Sequence, residues 1–231
     1  KHFDIHNRLI AYHNFNEESS ANGILELLRD GKNVALISDA GYPLINDPGQ
    51  KIVTLATSEG FNVVPVSGPS AFLNALVASG LVAQPFIFIG FLPQSHSDRV
   101  KKLKEYENYP MTMIFYEAPH RIEKCLKDCM EVFGDRKMTL ARELTKIHEE
   151  FLRGSISEIL DVVDELRGEM VIVMDGNHED KTKAIDMNTI IEMVNASVEN
   201  GMSTKDAVKD AAKKTGISKN RIYDAVNSNR N

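Results

Sequence analysis

The pattern of apolar and polar positions predicts that helices and short strands alternate in the first part of the chain. An amphipathic helix begins near Ile24 and is ended by Gly31, and the apolar run after it is short enough for a buried strand. Short connections between strands and helices in this order favour parallel strands with right-handed crossovers. The later helices are expected at 50–58 and 72–79, and the strands at 34–37 and 62–66.

A second α/β region begins near Pro85. Ser155 and Glu158 have the spacing of a capping box at the start of its last helix. The chain is therefore predicted to have an α/β fold, with a parallel-sheet domain over 1–85 and a mixed-sheet domain over 86–176. The strands of the second domain are expected at 86–89, 112–116, 137–141 and 170–174, and its helices at about 97–107, 120–133 and 156–166.

The last part of the chain, 177–231, is assigned to a polar linker and a helical tail. Ser203 and Ser218 are suitable N-caps for the second and third helices of this tail. The turn between those two helices, followed by a basic helix, resembles a helix-turn-helix, and a plain three-helix bundle explains the pattern equally well. The expected helices span about 188–200, 204–214 and 219–227.

Charge is distributed unevenly along the 231 residues. The net charge is −6, so the protein has no overall basic surface for nucleic acid. Residues 181–231 carry nine Lys and Arg against six Asp and Glu, a net of +3, which leaves 18 against 27, a net of −9, for residues 1–180. Contacts with RNA must therefore be local, as in the basic run over 99–104 or in the tail.

The two cysteines and the lengths of the apolar runs suggest a cytoplasmic protein. Cys125 and Cys129 are four residues apart in a predicted amphipathic helix, which makes them core residues on one helix face. We therefore expect free thiols and a reducing compartment. No apolar run approaches the roughly 20 residues that a membrane-spanning helix needs.

Two loops at the carboxyl ends of predicted strands contain the candidate binding chemistry. The first loop, 38–49, holds two glycines, two prolines and two aspartates, so it can continue as neither strand nor helix. The second, 68–71, reads Gly-Pro-Ser-Ala. Open α/β sheets bind ligands at such strand ends. Neither loop contains a dinucleotide fingerprint or a P-loop, which argues against a nicotinamide enzyme and against an NTPase.

These loops and four further motifs resemble the tetrapyrrole-methylase superfamily of S-adenosylmethionine (SAM) methyltransferases. The similarity is specific to the branch that methylates the ribose 2′-oxygen of a cytidine in 16S rRNA, and it covers roughly 5–176. The further motifs are FIGFLP at 88–93, FYEAPHR at 115–121, ARELTK at 141–146 and HEE at 148–150.

The resemblance implies that SAM binds in a cleft between two α/β domains and that the protein is a homodimer. SAM suits the two loops, because its carboxylate needs N–H donors and its sulfonium would be attracted by an aspartate. The family also opens with a strand and a Thr-Pro-Ile-Gly-Asn loop that this sequence does not match, so we expect the N-terminal part of the site to be missing. The positions that correspond to cofactor contacts are Asp39, Ala40, Gly41, Gly68, Pro69, Ser70, Ala71, Phe115 and Tyr116.

The expected partner is 16S rRNA or the small ribosomal subunit. Methyl transfer to a ribose requires positioning and a route for the hydroxyl proton. Lys146, oriented or deprotonated by Glu143, is the candidate for this step, and a neighbouring Arg142 is expected to lower the pKa of Lys146 by repulsion. The residues expected to bind phosphates are Arg99, Lys101, Lys102, Arg121 and Arg142.

Two other functions are compatible with parts of the sequence. Another member of the superfamily could methylate a ring carbon of a tetrapyrrole, but the basic patches and the charged 141–146 segment speak against so apolar a substrate. A nucleic-acid-binding regulator without enzymatic activity could be built on the helical tail. Such a protein would have no need of the 38–49 loop, so SAM binding distinguishes the two classes.

Overall fold

The computed structural model describes residues 4–13, 17–178 and 186–228. The chain divides into two units, residues 1–176 and residues 177–231. The separation of 1–85 from 86–176 stays a prediction.

The first unit consists of helices around one mixed sheet. Its helices are α1 (Glu17–Arg29), α2 (Gln50–Ser58), α3 (Ala71–Ser79), α4 (His96–Lys104), α5 (Ile122–Phe133) and α6 (Ile156–Leu160). Its strands are β1 (Phe86–Phe91), β2 (Thr112–Glu117), β3 (Lys137–Arg142), β4 (Glu150–Ser155) and β5 (Met170–Met174). The capping box of Ser155 and Glu158 is present at the start of α6, as the sequence predicts.

The strand order β1-β2-β5-β3-β4 places the ends of three strands together. β1 and β2 are parallel, and β5 lies antiparallel to both β2 and β3, so β1, β2 and β3 run in the same direction. Met170 of β5 pairs with Glu117 on one side and with Arg142 on the other. We call this side of the sheet the carboxyl edge; it consists of Phe91, Glu117, Arg142, Glu150 and Met170.

The two faces of the sheet are covered by different helices. Alternate residues of β2 point to opposite sides. Met113 and Phe115 belong to the large core formed with α4, α5 and α6, whereas Ile114 and Tyr116 pack in a second cluster with α3. This arrangement confirms the α/β fold class, with a mixed sheet in the region where a mixed sheet was expected.

The strands predicted at 34–37 and 62–66 are absent from the described residues, so the prediction of a parallel sheet there is wrong for this structure. Both segments are irregular and pair with no strand of the described chain. Ile37 and Val66 are 78% and 85% exposed. An apolar run becomes a strand only when a neighbouring strand satisfies its backbone and covers its side chains.

β4 is the strand that the sequence reading missed. It follows β3 through a hairpin loop over 143–149, and it pairs in full register with β3. Its sequence, Glu-Phe-Leu-Arg-Gly-Ser, lacks the regular alternation that marks a half-buried strand, and its burial is only partial. It lies at the end of the sheet order.

The second unit is a three-helix bundle in its described residues. Its helices are α7 (Met187–Glu199), α8 (Thr204–Thr215) and α9 (Lys219–Ser228), close to the predicted bounds. Ile190, Val208 and Ile222 lie in their shared apolar core. The Asp206 amide donates to the Ser203 hydroxyl, which confirms Ser203 as an N-cap. The residues 179–181 of the predicted linker lie outside the described residues.

Cys125 and Cys129 are free and buried in the core of the first unit, as predicted. Among the described residues, no helix combines the length and the apolar character that crossing a membrane requires.

Candidate cofactor and methyl-acceptor site

The 38–49 loop and the 68–71 turn lie side by side. The Gly68 amide donates a hydrogen bond of 2.9 Å to the Tyr42 hydroxyl. The Ser38 hydroxyl donates to the carbonyl oxygens of Ala40 and Gly41, which folds the loop back on itself. Gly41 has a φ of 72°, and a side chain there would begin 3.7 Å from the Pro69 carbonyl oxygen. The two candidate cofactor segments therefore form one surface.

The same loop also reaches the first strand of the sheet. The Asn46 amide lies so close to Gly90 that a Cβ on this glycine would come within 2.6 Å of the Asn46 Oδ1. Gly90 has a φ of 77°, and the register of β1 and β2 shifts beside it. Glycine is favoured here because this φ strains other residues and because a Cβ would displace the Asn46 side chain.

Helix α3 begins over β1 and crosses one face of the sheet towards β3. The Thr139 hydroxyl donates to the carbonyl of Ser79 at the far end of α3, whereas Phe72 in its first turn meets Tyr116 near the end of β2. Ser70 occupies the N-cap position, and its side chain makes no capping hydrogen bond. The first N–H groups of α3 therefore lack intrahelical acceptors and can bind an anionic group such as a carboxylate.

Aromatic rings form an apolar wall next to this helix start. Phe72 stacks on Phe88 with ring centroids 4.4 Å apart, and Tyr116 meets Phe88 and Phe91 edge-on at 5.0 and 5.6 Å. Phe91 is 55% exposed, so the wall is open to a ligand. Burial is the main cause that raises the pKa of the Tyr116 hydroxyl. An adenine ring is suited to such a wall.

The residues predicted to bind the cofactor therefore fit SAM, with one exception. The members from the two loops are accessible: Asp39, Ala40, Gly41, Gly68, Pro69 and Ala71 are exposed and Ser70 is partly so. Tyr116 lies at the aromatic wall. The Phe115 side chain is fully buried in the core on the opposite face of the sheet, so this side chain does not reach the aromatic wall, and a cofactor contact of Phe115 stays a prediction.

The candidate transfer residues lie in the hairpin loop at the carboxyl edge. Lys146 Nζ donates to Glu143 Oε1 at 3.1 Å and to Glu169 Oε2 at 2.9 Å. The bond to Glu169 and then the bond to Glu143 raise the pKa of Lys146. The prediction that this pKa is lowered is therefore wrong: Lys146 is a cation at neutral pH in this state.

Glu143 is held in place from several directions. The Lys146 ammonium is the main cause that lowers the pKa of Glu143, followed by the Glu169 amide, which donates to Glu143 Oε1 at 3.0 Å. Gly168 has a φ of 92°, and a Cβ there would lie 2.2 Å from Glu143 Oε1. The Glu143 carboxylate thus fills the position that the Cβ of a larger residue at 168 would need.

Arg142 does not join Lys146 as expected. The loop is neither extended nor helical, because Glu143 and Thr145 have φ values of 50° and 65°. Arg142 Nε instead donates to Glu150 Oε2 at 2.6 Å, across the β3–β4 pair. The two cations therefore have separate acidic partners, and the repulsion that the sequence reading invoked is absent.

The arginines predicted to bind phosphates are engaged with other groups of the protein. Arg99 is 3% exposed and donates to Asp128 Oδ2 at 2.5 Å and to two carbonyl oxygens, so its prediction as a phosphate contact is wrong. Arg121 donates to the carbonyls of Leu92 and Pro93 and lies 3.2 Å from Glu117. Burial of such charges demands close partners, and these contacts supply most of them. Among the described residues, Glu117 Oε2 and Arg121 Nε are buried without a hydrogen-bond partner.

The two lysines of α4 that were predicted to bind phosphates remain on the surface. Lys101 is exposed and forms no ion pair among the described residues. Lys102 pairs with Glu105 at 2.7 Å and lies over the Tyr106 ring. Of the predicted phosphate contacts, Lys101 is therefore the one that is free to bind an anion without first losing a partner.

Sequence reasoning missed three residues that build this site. Tyr42 joins the two cofactor loops, Asn46 lies close to Gly90 of β1, and Glu169 binds Lys146. Tyr42 and Asn46 lie within the 38–49 loop, so their polar side chains could have been recognised from the sequence as candidate site residues. Glu169 lies outside the motifs, 23 residues after Lys146, and comes close only through the pairing of β3 with β5.

Comparisons with known proteins agree with this geometry. Residues 4–160 match the family described as Tetrapyrrole (Corrin/Porphyrin) Methylases. The ribosomal RNA small subunit methyltransferase I of Bacillus subtilis (strain 168) is 42% identical over 229 residues, which are 96% of this chain and 78% of that protein. The protein of the same name from Halalkalibacterium halodurans is 38% identical over 227 residues, with 96% and 78% covered.

Two solved structures have a similar fold. The methyltransferase CobJ matches with a TM-score of 0.52 and 18% identity, over 68% of this chain and 70% of that chain. A diphthine synthase matches with a TM-score of 0.50 and 11% identity, over 73% of this chain and 70% of that chain. At these identities the likeness concerns the fold alone.

The chain is therefore a member of the tetrapyrrole methylase family and a SAM-dependent methyltransferase. Within this family it belongs with the ribosomal RNA small subunit methyltransferase I proteins, which are rRNA methyltransferases. The predictions of the family, of the fold class and of the cofactor are confirmed.

Gly68→Val tests the position of the cofactor. A Cβ at Gly68 meets no atom within 4 Å, so the variant is expected to fold normally, while its side chain fills space beside the start of α3. We expect SAM affinity, measured by calorimetry, to fall at least about tenfold, which corresponds to about 1.4 kcal/mol. Gly23→Val is the control, because Gly23 is also open but lies in α1. Unchanged affinity in a folded Gly68→Val protein would contradict the assignment.

Proposed function

We propose that this protein transfers the methyl group of SAM to the ribose 2′-oxygen of a cytidine in 16S rRNA, near the decoding centre. The observation that supports this proposal most is the gathering of both sets of motifs at the carboxyl edge. Leu144 of the hairpin loop packs in the same apolar cluster as Phe72 and Tyr116 of the cofactor wall. Strands β2 and β3 are separated only by β5, so their ends are about 10 Å apart.

The cofactor contacts proposed here follow from the chemistry of each segment. The open N–H groups of α3 bind the carboxylate, and the exposed carboxylate of Asp39 attracts positive charge. The aromatic wall of Phe91 and Tyr116 takes the apolar ring. Bound SAM supplies an activated methyl group on a cationic sulfur.

Lys146 and Glu143 are proposed to act on the acceptor hydroxyl. Because Lys146 is held as a cation, its role is to donate a hydrogen bond to the ribose 2′-oxygen and to stabilise negative charge as the hydroxyl proton leaves. Glu143 orients the ammonium group. Glu169 is 82% exposed in its side chain, so its bond to Lys146 is the one that the incoming RNA replaces.

RNA is proposed to reach this edge across basic groups that remain accessible. Lys101 and Lys102 on α4 and Arg142 at the end of β3 are the candidates for phosphate contacts. The proposed partners are 16S rRNA or the small ribosomal subunit, which places the protein in the cytoplasm. Assembly as a homodimer stays a prediction.

The identity of the methylated product tests the proposed reaction. The protein is incubated with isotope-labelled SAM and small ribosomal subunits, and the rRNA is digested to nucleosides for mass spectrometry. We expect label in 2′-O-methylcytidine. Label in a base-methylated nucleoside would contradict the ribose assignment. Transfer to a tetrapyrrole precursor, with none to rRNA, would support the rival reaction instead.

Substitutions of Lys146 separate a role as a cation from a role as a base. Lys146→Ala is expected to lower the rate of methyl transfer about 100-fold, as loss of a single preorganised donor does. Lys146→Arg keeps the charge but cannot accept a proton at neutral pH, so under the cation role it retains more activity than Lys146→Ala. Rates are measured with saturating SAM, and Lys127→Ala on α5 serves as the control.

Two results together would instead assign Lys146 as the base. The first is an equal loss of activity in Lys146→Ala and Lys146→Arg. The second is a rate of the parent protein that rises with pH until Lys146 is deprotonated. Because the pKa of Lys146 is raised, this increase in rate is expected at a higher pH than the titration of an ordinary lysine.

A further inference from the structure

A groove lined by lysines lies between α8 and α9 in the helical unit. It consists of two open surface depressions of about 430 and 330 Å³ that share Lys219. Tyr223 lines the second depression, with 47% of its surface exposed. We use the name basic groove for the surface formed by Lys205, Lys209, Lys213, Lys219 and Tyr223.

The lysines of the basic groove lack acidic partners. Within the described parts of the chain, none of the groove lysines forms an ion pair. The neighbouring Lys214, in contrast, pairs with Asp210 at 2.7 Å, and Asp206 accepts a hydrogen bond from the Ser203 cap. The acidic side chains of α8 are thus engaged in contacts outside the groove.

The spacing of these lysines suits a repeating anion. Lys205, Lys209 and Lys213 follow one another at i, i+4 and i+8 on α8, so one lysine stands on each turn, about 6 Å from the next. Like charges at this spacing destabilise a helix unless an anion lies between them. Lys219 adds a further charge at the first position of α9, where the helix dipole is also positive.

The exposed ring of Tyr223 favours a ligand that combines phosphates with unstacked bases. A strand of unpaired RNA offers both phosphates for the lysines and bases that stack on an aromatic ring. An acidic peptide offers no base for Tyr223, and in duplex DNA the bases are already stacked. Charge and ring together therefore favour a single-stranded segment of RNA.

We infer that the basic groove binds the phosphate backbone of an unpaired segment of the rRNA substrate. This inference rests on the proposed function, because it assigns a second part of the same RNA to the helical unit. The groove supplies affinity for the RNA, and the chemistry remains at the carboxyl edge of the sheet.

Removal of two groove charges tests the inference in the full chain. Binding to transcribed 16S rRNA is measured for Lys209→Gln/Lys213→Gln between about 50 and 200 mM salt. We expect the Kd at low salt to rise at least about tenfold, and the slope of log K against log salt to flatten by about 1.4, or about 0.7 for each lost contact. Lys214→Gln is the matched control and is expected to bind as the parent protein does. Circular dichroism with a thermal melt verifies that the helical unit of each variant is folded, and calorimetry with SAM does so for the first unit.

Several results would overturn the groove assignment. These are a parent-like Kd and salt slope in the double variant, an equal loss in Lys214→Gln, or a larger loss for duplex DNA than for rRNA.

Methyl transfer separates this proposal from the proposed function. If the parent protein methylates a ribose and the double variant has an unchanged KM for RNA, the groove proposal fails alone. If the parent transfers no methyl group to rRNA while the double variant loses RNA affinity, the proposed function fails alone.

Discussion

The direction of three strands is the constraint on which the site depends. Because β5 lies antiparallel between β2 and β3, the ends of β1, β2 and β3 all reach the carboxyl edge. Helix α3 crosses one face of the sheet and begins over β1, where its first turn packs in the same cluster as Tyr116. We propose that a cofactor at the start of this helix faces an acceptor bound at the hairpin loop.

Buried charges hold this edge in shape. Arg99 and Arg121 both donate to carbonyls of the turn that follows β1, and Asp128 and Glu117 balance their charges. Removing one member of a buried pair leaves the other charge uncompensated, which costs about 3–5 kcal/mol. The charges of the hairpin loop differ in being accessible. Lys146 can therefore exchange an acidic partner for substrate, whereas Arg99 cannot.

The sequence predicted the elements whose signals are local, and it failed where distant residues decide the outcome. The apolar runs that became β1, β2, β3 and β5 find neighbours within one sheet, but the equally apolar run at 34–37 has none in the described chain and stays irregular. Arg99 and Lys101 look alike in sequence, and only the packing of α4 on α5 makes one a buried partner of Asp128. Likewise, the charge state of Lys146 is set by Glu169, which the pairing of β3 with β5 brings close.

The most direct test of this account is a crystal structure of the protein with S-adenosylhomocysteine. The account predicts that the carboxylate of the ligand contacts the first N–H groups of α3, with its adenine at Phe91 and Tyr116 and its sulfur facing the side of the site that holds Lys146. A ligand bound away from the 38–49 loop and the start of α3 would contradict it, as would a sulfur directed away from the hairpin loop.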